Sequence, residues 1–321
     1  MSQTDFDPIQ RALLAWFSAN ARDLPWRRTR DPYRILVSEI MLQQTPVDRV
    51  IPKYHAFLAS FPTLEALADA PAAEVIRIWA GLGYNRRAVN LQRAVRAVRE
   101  SYGGQFPPTA QMLQTLPGIG PYTAGAIACF AFEHDVAFLD TNIRRVLRRA
   151  LVGPDDMEPR PSDRALLALG AALVPLGQGW AWNQAIMELG ALICTAVAPT
   201  CRRCPISPDC RAYAARAAAD GVSLQAMVGG AITGRALGEI APRPAKRVAE
   251  RKEAPYLGSR RWYRGKIIDA LREHTSLPLS RLGPLVKPDY SESDTAWLRD
   301  VISGLARDGL AVLDGDEVRL P

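Results

Sequence analysis

Residues 113–124 read LQTLPGIGPYTA, and the fold turns on how this stretch is read. Two short apolar-periodic segments, 109–115 and 121–131, flank Leu116-Pro117-Gly118-Ile119-Gly120. The expected unit is a helix–hairpin–helix. Its glycines permit a tight turn, and backbone N–H groups at Gly118 and Gly120 point outward at the start of the next helix, where the dipole is positive. Such a turn holds a phosphate without touching a base. Alone, the same residues also suit a plain glycine turn between helices.

Working outward, residues 6 to about 215 read as helix after short helix. Apolar residues recur at three- and four-residue spacing over 8–19, 47–60, 73–79, 86–100 and 142–151 as well as in the hairpin arms. Breaks fall at Asp31-Pro32, Gly103-Gly104, Pro107-Pro108, Pro117-Gly118 and Gly153-Pro154. The expected fold class is mainly α, with residues 1–215 forming a two-lobed all-helical domain. Residues 216–258, rich in Ala, Gly and Arg and carrying the charge run KRVAERKE, read as a linker. From there YRGKIIDALREH and TAWLRDVISGLARDG read as helices, and LAVLDGDEVRLP as two strands about Asp314-Gly315. Residues 259–321 thus suggest a small α+β, winged-helix-like domain; an incidental cap on the main domain fits the same pattern.

The 321 residues exceed one compact core, which favours two or three domains. Hydrophobic residues at 48% and charged residues at 23% are ordinary for a globular chain, so fibrous and disordered classes are excluded. A net charge of +7 and a pI near 9.3 suit a polyanionic partner without proving one. No apolar run reaches the length of a membrane span, and MSQTDFDP is not a secretory leader. The expected location is the cytoplasm, with the nucleoid, where thiols stay reduced.

Five cysteines in that setting are metal ligands before they are disulfides. Cys194, Cys201, Cys204 and Cys210 follow C-x6-C-x2-C-x5-C, with Pro199, Pro205 and Pro208 favouring a compact loop. Structural zinc commonly takes two close pairs, and only Cys201 and Cys204 form one. A [4Fe–4S] cluster accepts more uneven spacing, so it leads, with zinc the alternative. Arg202, Arg203 and Arg211 make the loop basic, whereas Cys129, inside AGAIACFAF, reads as core.

The hairpin, then LDTNIRRV, then this cysteine spacing resembles the endonuclease III superfamily of DNA glycosylases. SEIMLQQT, with LPWR before it and GLGY after it, resembles the MutY branch, the A/G-mismatch adenine glycosylases. The resemblance covers roughly residues 8–213. It implies double-stranded DNA with a mismatch or lesion as partner, a monomer needing no membrane, and a [4Fe–4S] cofactor on the four cysteines. It also implies two catalytic acids. Asp140, by itself a good N-cap for a helix over 141–150, would stabilise an oxocarbenium-like sugar. Glu39, expected on a helix begun by Asp31-Pro32 and sharing a face with Leu36 and Gln43, would protonate adenine N7 and then activate water. A carboxyl enclosed in a pocket has a raised pKa, which suits a general acid; a solvated surface charge is the bland reading. The division of labour follows glycoside hydrolysis.

Tyr122 stands where bifunctional relatives carry a Lys, and Tyr forms no Schiff base, so simple hydrolysis is implied. Asn142 completes the catalytic D-x-N, with Thr141 where Gly is usual, which leaves the local backbone open. Gln44 and Tyr84 would wedge into the duplex, and Trp26, Arg27, Leu42 and Gln184 would line the adenine pocket, supported by Glu188. Some of Arg144, Arg145, Arg148 and Arg149 should meet phosphate and the rest form a solvated face.

The departures lie late in the chain. Nothing after residue 216 resembles the Nudix-like domain that reads 8-oxoguanine in many of these enzymes, and the only histidines are His55, His134 and His274. Asn85 replaces the second Tyr of GLGYY. Three alternatives remain: a thymine or uracil glycosylase, a non-enzymatic iron–sulfur DNA-binding protein, and a bifunctional lyase.

Overall fold

A computed structural model describes residues 6–219 and 256–321. These residues divide between two compact units. One combines Leu24–Thr123 with the C-terminal stretch Ala249–Pro321; the other combines Met1–Asp23 with Ala124–Val248.

The first unit holds α2 (Pro32–Leu42), α3 (Val47–Ser60), α4 (Leu64–Asp69), α5 (Ala72–Ile78), α6 (Arg86–Tyr102) and α7 (Ala110–Leu113). Asp31 caps α2 by accepting from the Tyr33 N–H at 2.9 Å, with Pro32 at its first position. Thr63 and Thr109 cap α4 and α7 in the same way. The apolar faces close on Leu36, Val37, Phe57, Leu67, Trp79, Leu91 and Val95, all buried.

The C-terminal stretch supplies α13 (Arg260–Glu273), β1 (Leu277–Pro278), α14 (Leu279–Val286), α15 (Thr295–Arg307), β2 (Val312–Asp314) and β3 (Glu317–Arg319). The strands form an antiparallel sheet in the order β1-β3-β2, with Leu277 opposite Val318 and Leu313 opposite Val318 on its other side. Helix, strand, two helices and a hairpin is the order of a winged helix. Its core is not self-contained: Ile76 and Val89 of the helical lobe join Ile267, Ile268, Leu271, Val301, Leu305 and Leu320 in one buried cluster. Arg272 donates to the Ile76 carbonyl at 3.1 Å and to Asn85 Oδ1 at 2.8 Å, and the Ala73 N–H donates to the Pro321 carbonyl. Asn85, where the resemblance had a Tyr, is therefore a docking point for this stretch.

The second unit packs α1 (Asp7–Asn20) against α11 (Gly179–Leu192), with most of α8 (Pro121–Phe130), α9 (Thr141–Leu147), α10 (Asp163–Leu173) and α12 (Arg211–Ala219). One π-helical turn, Arg148–Val152, extends α9.

The mainly α fold class and its small sheet agree with the sequence. Three details differ. The helix carrying Glu39 stops at Leu42, and Gln43 leaves helical geometry (ψ 108°), so Gln43 does not share its face. Helix α12 runs to Ala219, past the expected linker start at 216; most of that linker, 220–255, lies outside the described residues. Strand β1 and helix α14 lie between the two expected C-terminal helices, where the sequence reading places no element.

Candidate active site

In the first unit the hairpin is built as its sequence suggests. Leu116 and Ile119 are buried and anchor the turn, and the Ile119 N–H donates to the Leu116 carbonyl at 3.2 Å. Gly118 and Gly120 are exposed, and among the described residues neither N–H donates to a protein acceptor. Gly118 sits at φ +76°, and a Cβ there would lie 2.9 Å from Asn90 Cβ. Backbone and space both demand glycine. Gly118→Ala should cost about 1–3 kcal/mol; a thermal melt and a duplex-binding titration would both fall, and an unchanged melt would refute the strain.

Glu39 lies in the last turn of α2 and is 3% exposed. Tyr122, in the first turn of α8, donates its hydroxyl to Glu39 Oε2 at 2.8 Å. A buried acid held by a phenol is fixed in rotamer and has a polar partner in either protonation state. Trp26 is buried edge-on to Tyr54, with centroids 5.6 Å apart; Arg27 and Leu42 are half-buried.

Gln44 and Tyr84 follow, and both are exposed with left-handed backbones, φ +57° and +46°. For non-glycine residues that conformation costs about 1–3 kcal/mol each and persists only where the surroundings enforce it. Arg87 enforces both. Its guanidinium donates to the carbonyls of Ile40 (2.9 Å), Met41 (3.0 Å) and Gln43 (2.6 Å), to Thr45 Oγ1 (3.1 Å), and to the carbonyls of Leu82 (3.0 Å) and Gly83 (3.2 Å). It thus caps α2 and ties it to the GLGY loop, with its plane over Trp79 and Tyr84. Burial pulls its pKa down to about 10. Sequence reasoning missed this clamp, because all but one of its acceptors are backbone carbonyls from two separate stretches of chain.

In the second unit Asp140 is the N-cap of α9: Oδ1 accepts from the Ile143 N–H at 2.6 Å and Oδ2 from Asn142 Nδ2 at 3.1 Å. Burial raises its pKa above the ordinary 3.8, against the lowering pull of those two donors and of Arg145. Thr141 simply opens the helix, so the missing Gly changes nothing in the helical backbone. Asn142 Oδ1 accepts from Arg145 at 2.8 Å, and Arg145 also donates to the carbonyls of Gly190 (2.6 Å) and Cys194 (2.7 Å). Gln184 and Glu188 are buried on α11. Glu188 accepts from Arg22 through both oxygens, at 2.8 and 2.7 Å, which ties the end of the first helix to α11.

The basic run after Asp140 makes several bonds within the fold. Arg144 pairs with Asp163, Arg145 serves carbonyls, Arg148 bonds the Asp155 carbonyl, and Arg149 is 4% exposed and paired with Asp155. Arg149 is thus buried and structural, while Arg144, with 39% of its side chain exposed in a surface pair, stays on the solvated face.

Arg149 is committed to the cysteine loop. It donates to the carbonyls of Thr195 (2.7 Å) and Ala196 (3.0 Å) and approaches Cys194 Sγ at 3.6 Å. Cys194, Cys201, Cys204 and Cys210 line one cavity with Val146, Leu189, Ile193 and Ile206. Burial pushes the Cys204 thiol up to about 12 and Cys210 to about 11, so a thiolate there needs a cation in place of its proton. Among the described residues no three His, Cys, Asp or Glu are grouped to hold a single metal ion. Four cysteines lining one cavity, with a buried guanidinium to offset anionic charge, fit a [4Fe–4S] cluster. Cys129 is fully buried in the core, as expected.

These parts define a class: helix–hairpin–helix proteins of base-excision repair. The family described as "HhH-GPD superfamily base excision DNA repair protein" matches residues 37–170, a span that takes in Glu39, the hairpin and Asp140. The chain is 38% identical over 311 residues to the "Adenine DNA glycosylase" of Mycolicibacterium smegmatis, covering 95% of itself and 92% of that relative. It belongs to the adenine DNA glycosylase family. The human protein of that name is 44% identical over 211 residues, 63% of this chain and 38% of its own. Among solved structures, a thermostable thymine-DNA glycosylase matches with TM-score 0.60 at 33% identity, over 64% of this chain and 94% of that one. A trapped endonuclease III–DNA intermediate, at 21% identity and TM-score 0.57 over 67% of this chain and 99% of that one, shares the fold. Among the described residues no helix is long and apolar enough to cross a membrane.

Proposed function

We propose that this protein hydrolyses the N-glycosidic bond of adenine mispaired with guanine or 8-oxoguanine in double-stranded DNA, leaving an abasic site. The observation that carries the reading is the Tyr122 hydroxyl donating to buried Glu39. Glu39 protonates adenine N7; the C1′–N9 bond breaks and its electron pair leaves with adenine. The carboxylate of Asp140, held by Ile143 and Asn142, stabilises the sugar cation. Water then adds at C1′ and returns its proton to Glu39, restoring the acid. Tyr122 orients Glu39 and, lacking an amine, cannot attack the sugar.

Trp26, Arg27 and Leu42 are the first unit's contribution to adenine recognition, and Gln184, supported by Glu188, is the second unit's. Exposed Gln44 and Tyr84 fill the gap in the stack, and Gly118 and Gly120 hold a phosphate. Cys194, Cys201, Cys204 and Cys210 would hold the cluster, which supplies a rigid anchor for its loop. The enzyme works as a monomer, in the cytoplasm with the nucleoid.

A second reading, removal of thymine or uracil opposite guanine, is favoured by the 33% likeness to a thymine-DNA glycosylase. A panel of duplexes carrying A:G, A:8-oxoguanine, T:G and U:G, treated with alkali after incubation, separates the two. Scission at the adenine strands alone is expected, and none before alkali. Scission confined to the T or U strands would replace the first reading with the second.

A further inference from the structure

Tyr84 has a neighbour that belongs to none of the parts used so far. The Arg261 guanidinium, on the first turn of α13, lies 5.9 Å from the centroid of the Tyr84 ring and 5.1 Å from that of Tyr256. Arg261 is exposed, as are Tyr84 (48%), Tyr256 (52%) and Leu257 (75%). Lys266, farther along the same helix, sits 4.4 Å over the ring of Trp262. Arg86, beside Tyr84 in sequence, keeps 63% of its side chain exposed while bonding Asp308 of the C-terminal stretch. The arrangement is anchored: the buried cluster that joins α13 to Ile76 and Val89, and the Arg272–Asn85 bond, fix Arg261 relative to Tyr84.

We infer that the winged-helix stretch is a second DNA-contact surface, centred on Arg261 between Tyr84 and Tyr256, with a backbone phosphate of the duplex beside Tyr84 as its ligand. The inference rests on the proposed function, in which Tyr84 enters the duplex. Four arguments support this occupant. The patch continues directly from Tyr84, so a duplex engaged there passes over Arg261. Its charge is complementary, since Arg86, Arg261 and Lys266 are cationic. A guanidinium held against aromatic faces gives up little rotamer freedom when it binds, and its planar fork matches a phosphate. The residues are also those that grip single nucleotides elsewhere: aromatic faces interleaved with cations.

The test uses the full-length protein. Affinity for an A:G duplex is titrated against salt with Glu39→Gln alone and with Glu39→Gln/Arg261→Ala, so that no base is released during the measurement. The double variant should bind on the order of ten-fold more weakly, with a log–log salt slope shallower by about 1. Arg261→Lys, which keeps the charge, should retain the slope. Arg261→Ala on the wild-type background should keep its single-turnover rate at saturating enzyme within about two-fold, since no catalytic group is touched. Unchanged affinity and slope would overturn the inference. So would a lowered melting temperature without an affinity change, which would make Arg261 a docking residue only. Failure of the proposed function itself is read separately, on whether the wild type binds the duplex and releases adenine.

Discussion

Glu39→Gln is expected to release adenine from an A:G duplex about 10²–10⁴-fold more slowly than the wild type under single-turnover conditions. The amide keeps the size of the carboxyl and still offers an oxygen to the Tyr122 hydroxyl, so the local structure survives. What it lacks is a proton to give. Adenine leaving as an anion is a poor leaving group, and the lost rate measures that difference. DNA affinity should stay near the wild-type value, because the substitution acts on the transition state alone. Tyr122→Phe is the control: it removes the orienting bond and leaves the acid, so its loss should be smaller. Equal rates for wild type and Glu39→Gln would end the assignment of Glu39 as the acid.

Asp140→Asn should slow base release by about 10²–10³-fold while making the protein more stable at neutral pH. The two effects share one cause. Burial raises the Asp140 pKa above 3.8, so the fold binds its proton more tightly than the unfolded chain does. In the window between 3.8 and the raised value the folded state carries more protons, and stability falls as pH climbs through it. Above that window the full cost of a buried charge is present. Asparagine removes the charge and remains a good N-cap for the Ile143 N–H. The melting temperature of Asp140→Asn should therefore exceed the wild type's at pH 7 and converge with it in acid. If Asp140 acts as proposed, as an ionised carboxylate beside the sugar cation, the same shift sets the acid limb of the rate profile. Activity should rise with pH through a midpoint above 3.8. A variant less stable than wild type at pH 7 would refute the cost of burial assigned to this carboxylate.

Much of this was legible in the residues. Helix α3 over Val47–Ser60 matches its expected bounds, because an amphipathic run with turn residues at both ends leaves little choice. The hairpin glycines, the Asp140 cap and the convergence of four cysteines each follow from local chemistry. Where the reading failed, the deciding partner was far away in sequence. SEIMLQQT carries no stop signal before Pro46, and α2 ends at Leu42 because Arg87 takes its last carbonyls. Arg149 reads as part of a solvated stripe until Asp155 and the carbonyls of Thr195 and Ala196 bury it. Helix α14 is a short segment with Gly283 and Pro284 inside, held by Leu279, Leu282 and Val286 facing the shared core. Burial there overrides propensity.

That shared core bears on how the chain is made. Ile76 and Val89 leave the ribosome early, yet the residues that cover them, from Ile267 through Leu320, are translated much later. Until then the nascent lobe shows an uncovered apolar face to solvent. A nonsense codon anywhere in the winged-helix stretch would leave that face bare for good, and the product would be a substrate for chaperones and proteases rather than a shortened enzyme.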